Sequence, residues 1–125
     1  MPLEIQPWSE ATEVKQIQQF DVGIMPLPNT PWEQGKCGLK LIQYMACAPP
    51  GSPVGINKKL INQGINGFQA SNMKEWINSF QILKNNRTLR LSMGKAGRAI
   101  VEEKYCLQLT CAKIAQWFRK VKEMR

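Results

Sequence analysis

The chain has 125 residues and a formal net charge of +8, with 43% hydrophobic and 21% charged residues. This length suits one small domain with its own core, and the composition excludes a disordered chain. No apolar run approaches the roughly 20 residues that span a bilayer, and the N-terminus lacks the regions of a signal peptide. The absence of histidine excludes histidine-based triads, acid–base catalysis and metal sites.

The first part of the chain predicts a strand, a helix and a second strand. Leu3–Gln6 alternates apolar and polar residues, which is typical of a short strand. Ser9 is a good N-cap, and two glutamates follow it in the first turn, where negative charge favours a helix start. Phe20–Met25 is a nearly continuous apolar run that prolines end, as in a buried parallel strand.

The middle of the chain alternates loops with short elements. Residues 26–38 are rich in proline and glycine and predict a long loop, and apolar spacing then predicts a helix over 38–47. Residues 48–55 contain three prolines and allow only a stub of a strand. One or two helical turns over 57–62 and a very short strand over 68–70 follow.

Three helices complete the chain. Asn72 and Glu75 form a capping-box pattern, Asn85 and Asn86 interrupt the first helix, and apolar residues repeat at helical spacing in the two that follow. We therefore predict an α/β fold, because strands alternating with helices require a parallel sheet. The expected architecture is a partial Rossmann-like three-layer domain with a short parallel sheet of three to four strands and several C-terminal helices.

The positive charge lies in the last third of the chain. Residues 1–83 carry six Lys or Arg and six Asp or Glu, whereas residues 84–125 carry eleven basic residues and three glutamates. Such an excess indicates an anionic partner, which can be a nucleic acid, a membrane surface or a phosphorylated substrate.

The four cysteines do not form a recognisable site. Cys37, Cys47, Cys106 and Cys111 include no Cys-x-x-Cys pair, and their spacing favours neither a zinc site nor a disulfide framework. Cys111 falls in an apolar helical stripe. We expect buried free thiols, a reducing cytoplasm, no metal site and no cofactor.

Four segments together carry a family resemblance. They read FDVGIMPLP at 20–28, GKCGLKLIQYMA at 35–46, SPVGIN at 52–57 and GINGF at 64–68. In this order they closely resemble the second half of the C-terminal domain of retaining, group 1 glycosyltransferases of the GT-B fold. The resemblance runs from about Leu3 to about Arg119, and it implies that residues 1–125 are the second half of the nucleotide-sugar-binding domain, without the acceptor domain.

The resemblance implies a donor site at Gly35, Lys36, Cys37, Gly38 and Gln43. The two glutamates of the family motif, eight positions apart, fall on Gly35 and Gln43, so both acids are absent here. Gln43 keeps an oxygen that can accept a hydrogen bond from the donor ribose, as the second glutamate does in the family. No catalytic residue is identified, the isolated chain is expected to be inactive, and whether it is an enzyme stays open.

The resemblance also suggests partners and a location. The expected ligand is a nucleotide-diphospho-sugar, bound weakly, in the synthesis of a glycan or cell-envelope polysaccharide in the cytoplasm, with peripheral attachment to the inner face of the membrane left open. An uncovered sheet edge predicts a homodimer of the chain. Two alternatives stay open, a non-catalytic interaction module and a basic nucleic-acid-binding module. No nucleic-acid partner is expected, because no helix-turn-helix, RNP or zinc pattern accompanies the charge.

Overall fold

The computed structural model describes residues 3–45 and 50–124, which form a mostly helical α/β fold. In chain order the elements are α1 (Glu10–Gln18), α2 (Pro31–Gln34), α3 (Leu39–Tyr44), β1 (Pro50–Gly51), α4 (Asn57–Leu60), β2 (Phe68–Gln69), α5 (Met73–Asn85), α6 (Arg87–Lys104) and α7 (Leu107–Glu123). Among these helices, none is long and apolar enough to cross a membrane.

The sheet is parallel and very small. β1 pairs with β2, and Gly51 stands opposite Gln69. On its other side, Gly51 forms a parallel bridge with Met25. The backbone hydrogen bonds agree, because Ser52 N–H donates to the Met25 carbonyl (3.1 Å) and Ala70 N–H donates to the Gly51 carbonyl (3.0 Å). β1 is therefore central, between the segment that ends at Met25 and β2.

The sheet is smaller than the sequence predicts. The described residues contain two paired strands and the bridge at Met25, so a sheet of three to four strands is not confirmed. The strand predicted at Leu3–Gln6 is wrong, because these residues have no regular structure and lie exposed. A strand needs a neighbour to accept its backbone hydrogen bonds, and alternation alone does not supply one.

The helices agree better with the sequence, because local hydrogen bonds start them. The Asn72 side chain accepts from Glu75 N–H (3.0 Å), which confirms Asn72 as the predicted N-cap. The return bond of the predicted capping box is shifted by one residue, because the Glu75 carboxylate accepts from Ser71 N–H (2.6 Å). Asn86 caps α6 by accepting from Leu89 N–H (2.8 Å). Asn86 therefore both ends α5 and begins α6.

Two element boundaries in the middle of the chain differ between the prediction and the structure. The predicted loop over 26–38 contains the one-turn helix α2, which begins at Pro31, a favourable first position. The helix predicted over 38–47 ends at Tyr44, and Ala46 and Cys47 lie outside the described residues. The predicted stub of a strand and the short strand at 68–70 correspond to β1 and β2.

The core has two clusters. The buried residues of the first cluster are Leu41 of α3, Leu60 of α4, and Met45 and Ile61, which directly follow these two helices. They pack against Ile100 and Val101 of α6. The second joins α5 to α6 through Leu83 and Met93, against Val22, Phe68 and Leu89. Burial of this apolar surface is the main favourable contribution to folding.

The prediction that the cysteines are buried is wrong for the three that the structure describes. Cys37 and Cys111 are exposed and Cys106 is half-buried, and all three are free thiols. Cys47 lies outside the described residues. Cys111 is exposed because no described element covers the apolar stripe of α7 on which it lies.

Candidate functional site

A groove of about 450 Å³ opens where the parallel segments end. It is lined by residues that follow Met25, β1 and β2, together with one residue of α4: Leu27, Pro28, Asn29, Ser52, Pro53, Val54, Lys58 and Ser71. Open α/β sheets bind ligands at the carboxyl ends of their strands, and the volume lies within the usual range for small molecules. By its position and size, this groove is the candidate site.

Ser52 holds two walls of the groove together. It is 7% exposed, and its hydroxyl oxygen accepts from Leu27 N–H (3.0 Å). Its carbonyl accepts from Val54 N–H (2.8 Å) and from the Asn57 side-chain amide (3.1 Å). These bonds join the loop after Met25 to the turn after β1. Ser52 therefore fixes the shape of the groove.

The chemistry of the groove suits an anionic or hydroxyl-rich ligand. Lys58 supplies the positive charge among the lining residues, and it is exposed on α4. Asn29 is held by Gln34, whose side-chain amide donates to the Asn29 oxygen (3.0 Å). None of the described residues that line the groove carries a carboxylate.

The predicted donor segment lies beside this groove and does not line it. Gly35 follows α2 and Gly38 precedes α3, while Lys36 and Cys37 lie exposed between them. The ammonium of Lys36 is 3.8 Å from the Glu33 carboxylate on the same short segment. None of these four residues is among the lining set.

Gly38 has a structural reason to be glycine. Its φ is +71°, and an added Cβ would lie 2.6 Å from the Leu60 side chain and 2.8 Å from that of Ile56. A left-handed backbone and this close approach to the α4 region both favour glycine. Its presence therefore does not by itself indicate a ligand.

Gln43 joins an ion pair between α1 and α3. The Lys40 ammonium lies 2.8 Å from Glu13 Oε1, and the Gln43 amide donates to the same oxygen at 3.4 Å. The hydrogen bond from Lys40 lowers the pKa of Glu13, and the same bond raises the pKa of Lys40. The Gln43 Oε1 oxygen is buried and has no hydrogen-bond partner within the described residues. Sequence reasoning missed Glu13, whose place in the first turn of α1 suggested only a helix-dipole role.

Glu33 is the acidic residue nearest in sequence to position 35, where the motif acid is absent. Its carboxylate accepts from the Thr30 hydroxyl, and this bond lowers the pKa of Glu33. This bond joins two side chains of the same turn, and neither of them caps the backbone at the start of α2.

A second groove, of about 480 Å³, runs along α6 and contains part of the basic surface. Arg90, one of its cations, donates to the Leu83 and Lys84 carbonyls at the end of α5 and lies 3.6 Å from Asp21. Arg98, another, pairs with Glu102 at 2.7 Å. Both have structural partners, and the groove lies away from the carboxyl edge of the sheet.

Comparison with known proteins finds a likeness in fold. No protein-family model matches the chain, and no curated protein matches it. A crystal structure of the C-terminal domain of a glycosyl transferase group 1 family protein (LpcC) from Francisella tularensis matches it with a TM-score of 0.67 and 18% identity. The match covers 82% of this chain and 53% of that one, so this chain corresponds to about half of that domain. The resemblance seen in the sequence is thereby confirmed at the level of the fold, which is similar to part of a group 1 glycosyltransferase C-terminal domain.

Proposed function

We propose that this chain forms the second half of the nucleotide-sugar-binding domain of a glycosyltransferase, one that transfers a sugar from a nucleotide-diphospho-sugar to an acceptor. The observation that carries the proposal is the groove formed by the residues that follow Met25, β1 and β2. It lies on a fold similar to a glycosyltransferase C-terminal domain. In such folds this edge is where a ligand binds.

The groove and the predicted donor segment border each other, which supports one continuous site. The Gly55 backbone lies so close to α2 that an added Cβ would be 2.6 Å from the Gln34 carbonyl oxygen. Val54 of the groove precedes Gly55, and Gly35 follows Gln34. We place the donor diphosphate between Lys58 and the Gly35–Gly38 segment, with Lys36 and Cys37 at its edge.

Gln43 is the proposed contact for the donor ribose. Its buried Oε1 has no partner in the part of the chain that the structure describes, and a buried acceptor without a partner is costly. A ribose hydroxyl is a donor that would satisfy it. The amide nitrogen is already directed to Glu13, which leaves the oxygen as the group that can receive the ligand.

The proposed role of this chain is donor binding without turnover. Neither position 35 nor position 43 carries the motif carboxylate, and the chain spans about half of the solved domain that it matches. We expect a nucleotide-diphospho-sugar to bind weakly and not to be consumed. The proposed setting is glycan or cell-envelope polysaccharide synthesis in the cytoplasm.

Titration of the isotope-labelled chain with UDP-sugars and GDP-sugars, followed by NMR, tests this function. We expect shifts in the groove and in the 35–38 segment. Lys58→Ala should weaken binding about tenfold, whereas Lys59→Ala, the matched control on the same helix, should not change it. Shifts confined to the C-terminal helices, or equal effects of the two lysine variants, would contradict the proposed site.

A further inference from the structure

Part of the positive charge in the last third of the chain gathers in one place, the groove of about 480 Å³ along α6. Of the eleven basic residues at 84–125, four line this groove: Arg87, Arg90, Lys95 and Arg98. Two acids, Asp21 and Glu102, also line it, so its cations outnumber its acids. The volume lies within the usual range for small molecules, and the excess of cations selects an anionic one.

The four cations form two pairs along the helix. Arg87 stands three residues before Arg90, and helix side chains at this spacing are neighbours. Lys95 stands three residues before Arg98 in the same way. The second pair lies eight residues after the first, which the rise of an α-helix converts to about 12 Å. The groove therefore offers two separate cationic positions at a defined distance.

Small and apolar residues line the rest of the groove. Gly94, which lies between the two pairs in sequence, is buried and has no side chain to fill the space above it. Leu91 also lies between the pairs, and Phe20 lines the same groove; their side chains are 51% and 42% exposed. The space between the two cationic positions is therefore open and partly apolar.

Each pair keeps one cation free for a ligand. Among the described residues, neither Arg87 nor Lys95 forms an ion pair, and both are exposed. Their neighbours form ion pairs with exposed acids, Arg90 with Asp21 at 3.6 Å and Arg98 with Glu102 at 2.7 Å. Ion pairs with solvent-exposed acids contribute little free energy, so they do not hold these cations against a doubly charged phosphate.

We propose that this groove binds a small molecule with a phosphate group at each end, the two groups about 12 Å apart. Three of the four cations are arginines, whose planar donor groups match phosphate. Arg87 begins α6, where the helix dipole adds positive charge to the first position. The middle of the ligand lies over Leu91 and Gly94. This site shares no lining residue with the candidate donor groove, and it does not depend on the proposed sugar transfer.

The charge of the groove favours a small ligand over a nucleic acid. Its four cations and two acids leave a net charge of +2, which suits two phosphate groups rather than a continuous phosphate backbone. Phe20 is the one aromatic residue among the described residues that line the groove, whereas proteins that bind single strands stack successive bases on several aromatic side chains.

Titration calorimetry of the full chain with two bisphosphonates tests the spacing. Octamethylene bisphosphonate reaches both cation pairs when extended, whereas methylene bisphosphonate carries the same two groups on one carbon and reaches only one pair. We expect the long probe to bind about tenfold tighter, because its second group binds within the same complex. NMR shifts caused by the long probe should centre on α6 between Arg87 and Arg98. Equal affinities for the two probes would overturn the proposal.

Matched variants separate this site from general charge attraction. Arg87→Gln should weaken binding of the long probe about tenfold and remove its advantage over the short one, because the first pair then has no free cation. Lys95→Gln should do the same at the second pair. Lys104→Gln, the control, removes one exposed charge of α6 outside the groove and should change neither affinity. Equal losses in all three variants, each folded by circular dichroism, would refute the assignment to the groove.

Two other outcomes would assign the observed binding elsewhere and would also overturn the proposal. Shifts caused by the long probe that centre on Lys58 would place it in the candidate donor groove. Binding of single-stranded DNA that is tighter than that of the long probe, and that strengthens with strand length, would assign the basic surface of α6 to a nucleic acid. The titration with nucleotide-sugars is read at the donor groove and the 35–38 segment, so failure of either proposal is seen separately.

Discussion

Gly97 is the position where one methyl group should most disturb the fold. It lies in α6, opposite Met45, and a Cβ added there would be 1.9 Å from the Met45 carbonyl oxygen and 2.7 Å from its carbonyl carbon. These are backbone atoms of a residue that is fully buried, so no side-chain rotation relieves the contact. The glycine is what allows α6 to approach the end of α3.

The magnitude follows from the distance that α6 must move. To restore even a 3.0 Å contact, the helix has to shift by about 1.1 Å. That shift would loosen Ile100 and Val101, which pack from α6 against the first core cluster. Overpacking of this kind costs about 1–3 kcal/mol, and the better helix propensity of alanine returns about 1 kcal/mol. Because the clash is with backbone atoms, the cost lies at the upper end of that range, and we expect Gly97→Ala to lower the free energy of unfolding by about 2 kcal/mol.

Urea and thermal unfolding followed by circular dichroism measure this change. A loss of this size should lower Tm by several degrees, at about 4 °C per kcal/mol for a domain of this length. Gly35→Ala is the control, because a Cβ there would meet its nearest neighbour at 3.5 Å, an ordinary contact. A Gly97→Ala chain that is as stable as the unsubstituted chain would refute the close packing of α6 on Met45.

Three further predictions follow from the capping, the ion pair and the sheet. Asn72→Ala should cost about 1 kcal/mol in urea unfolding, and Ser9→Ala less, because the Ser9 side chain makes no capping hydrogen bond. Glu13→Gln should destabilise the chain near neutral pH; because Lys40 lowers the Glu13 pKa, the difference from the unsubstituted chain should vanish as pH falls through that lowered value and should persist in mild alkali. The uncovered edge beside residues 20–25 should make the chain self-associate, and a monomer at tens of micromolar in sedimentation equilibrium would contradict this.

The features of this fold that the sequence predicts correctly depend on residues that are close together in the chain. The cap at Asn72 needs a partner only three residues away, and it forms as the sequence indicates. Asn86, which the sequence indicates only as a helix break, also caps a residue three positions on. The strand expected at Leu3–Gln6 needs a neighbouring strand from elsewhere, and none of the described residues pairs with it. Sequence periodicity reports which face of an element is apolar. It does not report whether another element covers that face, which is why the predicted burial of Cys111 is wrong.

In the candidate site, too, local sequence patterns predict some residues, and long-range contacts determine the others. The order of motifs predicts the fold and directs attention to Gly35, Lys36, Cys37, Gly38 and Gln43. The groove residues depend on long-range contacts that no local pattern encodes, such as the bond from Leu27 to Ser52 across 25 positions. The contact of Gln43 with Glu13, across 30 positions, is equally invisible in the sequence.

The candidate groove and α7 are separate parts of the molecule. Among the described residues, every fully buried hydrophobic side chain lies between Leu41 and Met93, and most of the groove is built from that same stretch. α7 lies after this stretch and buries nothing. Substitutions on its apolar face should therefore leave both the free energy of unfolding and the nucleotide titration unchanged.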